Sequence, residues 1–224
     1  MPSPKNPAWR SLLRGLNRPL HEIRNEVVGR SQAALGNGSC RPSECALGNL
    51  VADIMLWRTQ GEGSEIVLAN SGGIRAGLPA GPVTRGDVLQ VLPFGNTLAT
   101  FGLKGADLLK VLEHGLARPG GGGFLQVAGL RFGWDPSRPA GARISFAEVR
   151  GSDGAFAPLD PARVYRLVSN NFLRRGGDGY DVLRDAAIDP YDFGPVLADA
   201  AVAYFAIHAP LAPRRESRIS TAKQ

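Results

Sequence analysis

Apolar residues in this chain change their spacing along its length, and the changes mark out its elements. Leu47, Leu50, Val51, Ile54 and Met55 recur at helical intervals, so the pattern predicts a helix over 46–57 packed on a core, with Asn49 and Asp53 on another face. Leu108, Leu109, Leu112 and Leu116 mark a second helix, and a third is expected over 195–207. A shorter helix near 86–91 is opened by Thr84, whose hydroxyl can cap first-turn N–H groups. Leu12, Leu13, Leu16, Leu20, Ile23 and Val27 form a broken apolar face interrupted by Pro19, which predicts a linker-like helix within residues 1–28.

Between the helices lie continuous apolar runs of strand length, Ile66-Val67-Leu68-Ala69 and Val164-Tyr165-Arg166-Leu167-Val168. Further strands are expected at 97–103, 130–134 and 143–149, with Gly151-Ser152-Asp153-Gly154 as the turn before the strand over 163–170. Four successive glycines, Gly120 to Gly123, predict a mobile loop between the first half and this strand-rich region. Residues 211–224 read as a polar, Arg-rich, frayed tail. Helices and strands mix without regular βαβ alternation, so the expected fold is α+β, a mixed β-sheet with packed helices.

Two polar, glycine-broken segments follow two of the strand runs: Asn70-Ser71-Gly72-Gly73-Ile74-Arg75, and Asn170-Asn171-Phe172 continuing to Gly176-Gly177-Asp178-Gly179-Tyr180. Each should emerge where a buried strand meets a loop, a common place for a ligand. Arg75, just beyond a glycine turn, can fork onto a phosphate, and Arg41 is a second candidate of the same kind. Phe94 and Phe172 sit beside turn-forming residues, where a ring can project into a cleft and stack on a base. Asp178, flanked by glycines, can accept both hydrogens of a ribose diol. Taken one at a time, the same residues also serve as ordinary turns, solvated charges and core rings.

Composition narrows the choice. The chain has 224 residues, 43% of them apolar, enough for a packed core in one large domain or two small ones. Its net charge is +6, but the arginines are spread along the sequence, and no basic stripe with interleaved aromatics or nucleic-acid-binding motif occurs. That argues against nucleic acid and for an anionic small molecule. No G-x-S-x-G, P-loop or G-x-G-x-x-G string is present, and Gly120 to Gly123 lacks the Lys-Ser/Thr of a phosphate cradle. The histidines, His21, His114 and His208, fall in predicted helices outside any metal-binding motif, so they read as structural and the chain as binding no metal. No uninterrupted apolar stretch has the length of a signal peptide or a membrane span. The only cysteines, Cys40 and Cys45, close a short Pro-containing loop; a disulfide in an exported protein is the favoured reading, two free thiols the other.

Taken together, the segments 40–53, 70–75, 91–96, 123–130, 171–173 and 176–180 closely resemble the C-terminal domain of 5′-nucleotidases, a family that includes UDP-sugar hydrolases and 2′,3′-cyclic-nucleotide phosphodiesterases. The resemblance spans roughly residues 25–208, with the motifs in the family's order. It implies that residues 29–210 form a nucleotide-binding domain in which Phe94 and Phe172 sandwich the base. Asp178 would hold the ribose hydroxyls, Arg41 and Arg75 would contact phosphate, and Asn70 would join Arg75 nearest the scissile group. It also implies a two-metal site in an N-terminal metallophosphatase domain, in cis or in trans, whose motifs this chain lacks. Alone, the chain is expected to be inactive. The resemblance and the cysteine pair imply a periplasmic or extracellular location, and the alternative function is a stand-alone nucleotide-binding module.

Overall fold

The structure, a computed structural model, describes residues 22–222. Its first half comprises β1 (Val27–Ser31), α1 (Ala46–Thr59), β2 (Ile66–Asn70), β3 (Gly81–Thr84), α2 (Arg85–Val91), β4 (Leu98–Lys104) and α3 (Gly105–Leu116). There follow β5 (Leu125–Ala128), β6 (Leu130–Trp134), β7 (Ile144–Arg150), β8 (Phe156–Pro158) and β9 (Val164–Asn170). The last elements are α4 (Asn171–Arg174), α5 (Asp181–Asp185), β10 (Ile188–Tyr191), α6 (Leu197–His208) and β11 (Ile219–Thr221).

All five residues of β2 are buried, which explains its unbroken apolar run. Successive side chains of a strand point to opposite faces, and here Ile66 and Leu68 enter one apolar cluster while Val67 and Ala69 enter another. The mixed sheet, ordered β10-β4-β9-β2-β5, is therefore covered on both sides. One side carries α1, α2, α6 and the β1-β3 ribbon; the other carries α3, α5 and a second sheet, β11-β6-β7-β8. This is the expected α+β arrangement.

Local signals explain where the helices start. Thr84 and Asp87 form a reciprocal capping box at α2: the Thr84 hydroxyl accepts from the Asp87 N–H at 3.1 Å, and the Asp87 carboxylate accepts from the Thr84 N–H at 2.8 Å. Cys45 caps α1, its sulfur accepting from the Gly48 N–H at 3.0 Å.

Three expectations need correction. Residues 1–21 lie outside the described part, but the helix expected within 1–28 ends by residue 25, and Val27 and Val28 belong to β1, paired antiparallel with β3. The spacing of Ile23 and Val27 suits a helix; the pairing with a strand more than fifty residues away overrides it.

The segment after residue 210 is not frayed within the described residues. Leu211 exchanges backbone hydrogen bonds with Arg30 and Gln32, and β11 pairs in parallel with β6. The Arg218 guanidinium reaches Asp53 at 2.8 Å, and the buried Glu44 carboxylate accepts from the Glu216 N–H at 2.5 Å. Asn49 and Asp53, set apart from the apolar stripe of α1, are the residues that meet this segment.

Nor is the glycine run a free spacer. The Gly72 N–H donates to the Gly122 carbonyl at 2.7 Å, the Gly120 N–H to the Arg41 carbonyl at 3.2 Å, and the Ser71 hydroxyl to the Gly122 carbonyl at 3.2 Å. A Cβ on Gly72 would fall 3.0 Å from the Gly122 oxygen, so the two backbones approach as closely as only glycine permits.

Candidate functional site

Sheet topology gathers the site. β2 and β9 run parallel and both end in asparagine, Asn70 and Asn170, at the same end of the sheet. β4 and β5 run antiparallel to them, with Leu98 opposite Asn170 and Leu125 opposite Asn70, so their preceding loops arrive at that same end. Four loops converge there: those after β2 and β9, and those before β4 and β5.

With the cysteine loop before α1 as a fifth segment, they enclose an open cleft of about 420 Å³ lined by Arg41, Asn70, Arg75, Phe94, Phe172 and Asp178, together with Asn96 and the glycines of the 72–73 and 122 turns. The structure thus brings together all six residues singled out from the sequence, from the cysteine loop to the glycine turn after β9. Phe94 is 58% exposed and Phe172 45%, although both are apolar rings. The Arg75 guanidinium lies 5.8 Å from the centre of the Phe94 ring. Phe172 packs its ring over Gly177, where a Cβ would sit 2.6 Å from ring carbons.

A chain of amides orients the acid. The Leu173 N–H donates to Asn170 Oδ1 at 2.9 Å, Asn170 Nδ2 to Asn70 Oδ1 at 2.9 Å, and Asn70 Nδ2 to Asp178 Oδ2 at 2.8 Å. Asn170 therefore caps α4 and passes orientation to Asn70, which in turn presents its amide to Asp178. Asp178 is held with φ of 55°, the left-handed region that few non-glycine residues occupy. Beside it, burial first and the Asp178 charge second push the Tyr180 phenol far above its ordinary pKa, so it stays protonated and donates to the Gly123 carbonyl at 2.5 Å.

The arginines of the two glycine-broken segments and the cysteine loop differ in whether an acid holds them among the described residues. Arg174 chelates Asp192 with two hydrogen bonds of 2.6 Å, and Arg175 adds a third at 3.0 Å. Burial by itself would raise the Asp192 carboxyl, but the bonds from Arg174 and then Arg175 outweigh it and leave its pKa below the usual carboxylate value. Among the described residues, Arg41 and Arg75 make no ion pair, and both side chains are exposed at the cleft.

Arg41 is carried by the loop that Cys40 and Cys45 close as a disulfide. Gln126, fully buried on β5, grips that loop from inside: its Nε2 donates to the Cys40 and Ser43 carbonyls, both at 2.8 Å, and its Oε1 accepts from the Cys45 N–H at 3.2 Å. Gly48 makes room for it, since a Cβ there would fall 2.4 Å from the Gln126 amide.

Among the described residues, no three His, Cys, Asp or Glu stand close enough to hold a metal ion. His114 faces the Asp178 backbone, and His208 stacks on Tyr204. Three contributors to the site went unrecognised in the sequence: Asn170, Gln126 and His114. Asn170 and Gln126 lie within or beside the motif segments, but their role depends on cross-strand neighbours that no local pattern reveals.

Comparison with known proteins places the chain in a family. The family described as 5′-nucleotidase, C-terminal domain, matches residues 27–185. The chain is similar to the trifunctional nucleotide phosphoesterase protein of Bacillus subtilis, at 37% identity over 82% of this chain and 13% of that protein. It is also similar to an apyrase of Tabanus yao, at 33% identity over 89% of this chain and 39% of that protein. Its fold superposes on the crystal structure of the 5′-nucleotidase precursor from Thermus thermophilus with a TM-score of 0.89 and 39% identity, covering 96% of this chain and 43% of that one. The chain therefore spans well under half the length of these relatives.

Proposed function

This chain belongs to the 5′-nucleotidase C-terminal domain family, and we propose that it is the nucleotide- or nucleoside-recognising part of a 5′-nucleotidase-type phosphohydrolase. The observation that carries the reading is the cleft itself: two exposed aromatic rings, an oriented carboxylate and two arginines without ion pairs among the described residues, all on one wall system.

The chemistry divides by position. Phe94 and Phe172 supply faces for a planar base, and their exposure costs free energy that a stacked ligand would recover. Asp178 accepts from a ribose diol with its remaining lone pairs, one oxygen being already oriented by Asn70. Arg41 and Arg75 face phosphate oxygens, with Asn70 beside them. With no metal donor set among the described residues, hydrolysis is assigned to a metallophosphatase domain acting in cis or in trans. A disulfide-closed loop at the site suits an oxidising compartment, periplasmic or extracellular.

Calorimetry with adenine, adenosine and AMP tests this reading. Affinity should rise at each step as the diol and then the phosphate are added. Equal affinity for adenine and AMP would overturn it. The isolated chain should release no phosphate from AMP with added Zn²⁺, Mn²⁺ or Co²⁺; release above a denatured control would place hydrolysis in this chain instead.

A further inference from the structure

We infer that His114 is a positioning residue for Asp178, fixing from behind the carboxylate that reads the ribose diol; the inference rests on the diol role proposed above. Asp178 adopts φ 55° and ψ 18°, a conformation a side-chain-bearing residue keeps only when its surroundings hold it there. Two anchors do so from different directions. On the cleft side, Asn70 Nδ2 donates to the carboxylate at 2.8 Å. On the far side, His114 Nε2 lies 3.0 Å from the Asp178 backbone carbonyl. A carbonyl oxygen only accepts, so His114 carries its proton on Nε2.

The surroundings of His114 are shaped for that contact. Its ring meets Tyr180 edge to face, with centroids 4.5 Å apart. On the loop side, a Cβ at Gly179 would come 3.1 Å from the imidazole. On the helix side, a Cβ at Gly115 would come 2.7 Å from the Tyr180 hydroxyl. Glu113, one residue earlier, accepts from the Arg143 and Ile144 N–H groups at 3.0 and 2.7 Å and fixes this end of α3 against the second sheet. Three successive residues of α3, Glu113, His114 and Gly115, thus join the second sheet to the turn bearing Asp178. His114 itself is exposed, so its ring is no filler of the core, and removing it opens no buried cavity.

The test is calorimetry with adenosine and 2′,3′-dideoxyadenosine on the wild-type chain and on His114→Ala, His114→Gln and Asp178→Ala, with thermal melts of each. His114→Ala should lose about tenfold in its preference for adenosine while binding dideoxyadenosine as the wild type does, as expected for one lost hydrogen bond. His114→Gln, whose amide can reach the same carbonyl, should recover the preference. A His114→Ala protein with the wild-type ratio overturns the inference, as does one that weakens both ligands equally or one that Gln fails to rescue. If wild type and Asp178→Ala show the same ratio, the diol reading itself falls and takes this inference with it.

Discussion

The ends of β2 and β9 look alike in sequence and differ in what they deliver. Both strands run in parallel to a buried asparagine, both then break at glycines, and both segments carry arginine. After β2, Arg75 reaches the cleft with no ion pair among the described residues and lies against Phe94. After β9, Arg174 and Arg175 close onto Asp192. The residue that decides between a receptor for anions and a structural clamp is an aspartate 17 to 18 positions further on. An arginine's availability is therefore a tertiary property, and the side chains nearest the glycine turn are not automatically the ones that bind.

The comparison breaks most decisively at Asp192. Asp192→Ala leaves Arg174, 14% exposed, without its partner, and should cost roughly 3–5 kcal/mol in chemical denaturation. Because the folded-state pKa of Asp192 is depressed, its contribution is complete above about pH 4 and is lost as the pH falls through its lower folded-state value. Asp192→Asn should flatten that part of the stability curve. An alanine variant as stable as the wild type would show that the β9 arginines are not a clamp.

Next in size is the free side of the comparison. Arg75→Ala and Arg41→Ala should each weaken AMP binding by about 1.5–3 kcal/mol while leaving adenosine binding and the melting temperature nearly unchanged. Equal losses for nucleotide and nucleoside would remove these residues from the phosphate.

The rings come third. Phe94→Ala or Phe172→Ala should weaken adenosine by about 1–3 kcal/mol with little loss of stability. A core role would show instead as a stability loss of about 3–5 kcal/mol, so melts and titrations on the same two proteins separate the cases. Smallest of all is Arg175→Ala. Its side chain is 54% exposed, so the pair it makes with Asp192 should contribute no more than about 1 kcal/mol, and nucleotide titrations should not change.

Much of this architecture is legible in the chain because burial imposes a period. α1 and α3 follow from apolar spacing, β2 and β9 from runs buried on both faces, and α2 from its threonine cap. The short partners are not. β10 is exposed at every position, contains Pro190 and turns through Asp189 at φ 46°; only its neighbour β4 makes it a strand. The six cleft residues stand out because glycine and strand ends flag them. Asn170 lies at a flagged strand end and Gln126 in a motif segment, but the task of either is not legible there, since an amide's task depends on what lies across the sheet. His114 belongs to no motif, and its partner is a backbone carbonyl 64 residues away.

Glu44 gives the loop bearing Arg41 a place in time as well as in space. It sits between Arg41 and Cys45, yet two backbone N–H groups that satisfy its buried carboxylate, those of Glu216 and Ile219, are made 172 and 175 residues later. A nascent or clipped chain that stops short of residue 216 lacks these two donors and leaves the Asn49 amide, at 2.7 Å, as the acid's side-chain partner, and burying a carboxylate with fewer donors is expensive. Completion of the anion-facing wall is thus tied to arrival of β11. A fragment that keeps every cleft residue but lacks that strand should make a poor receptor, and translation must run nearly to residue 219 before the wall formed around residue 41 is secured.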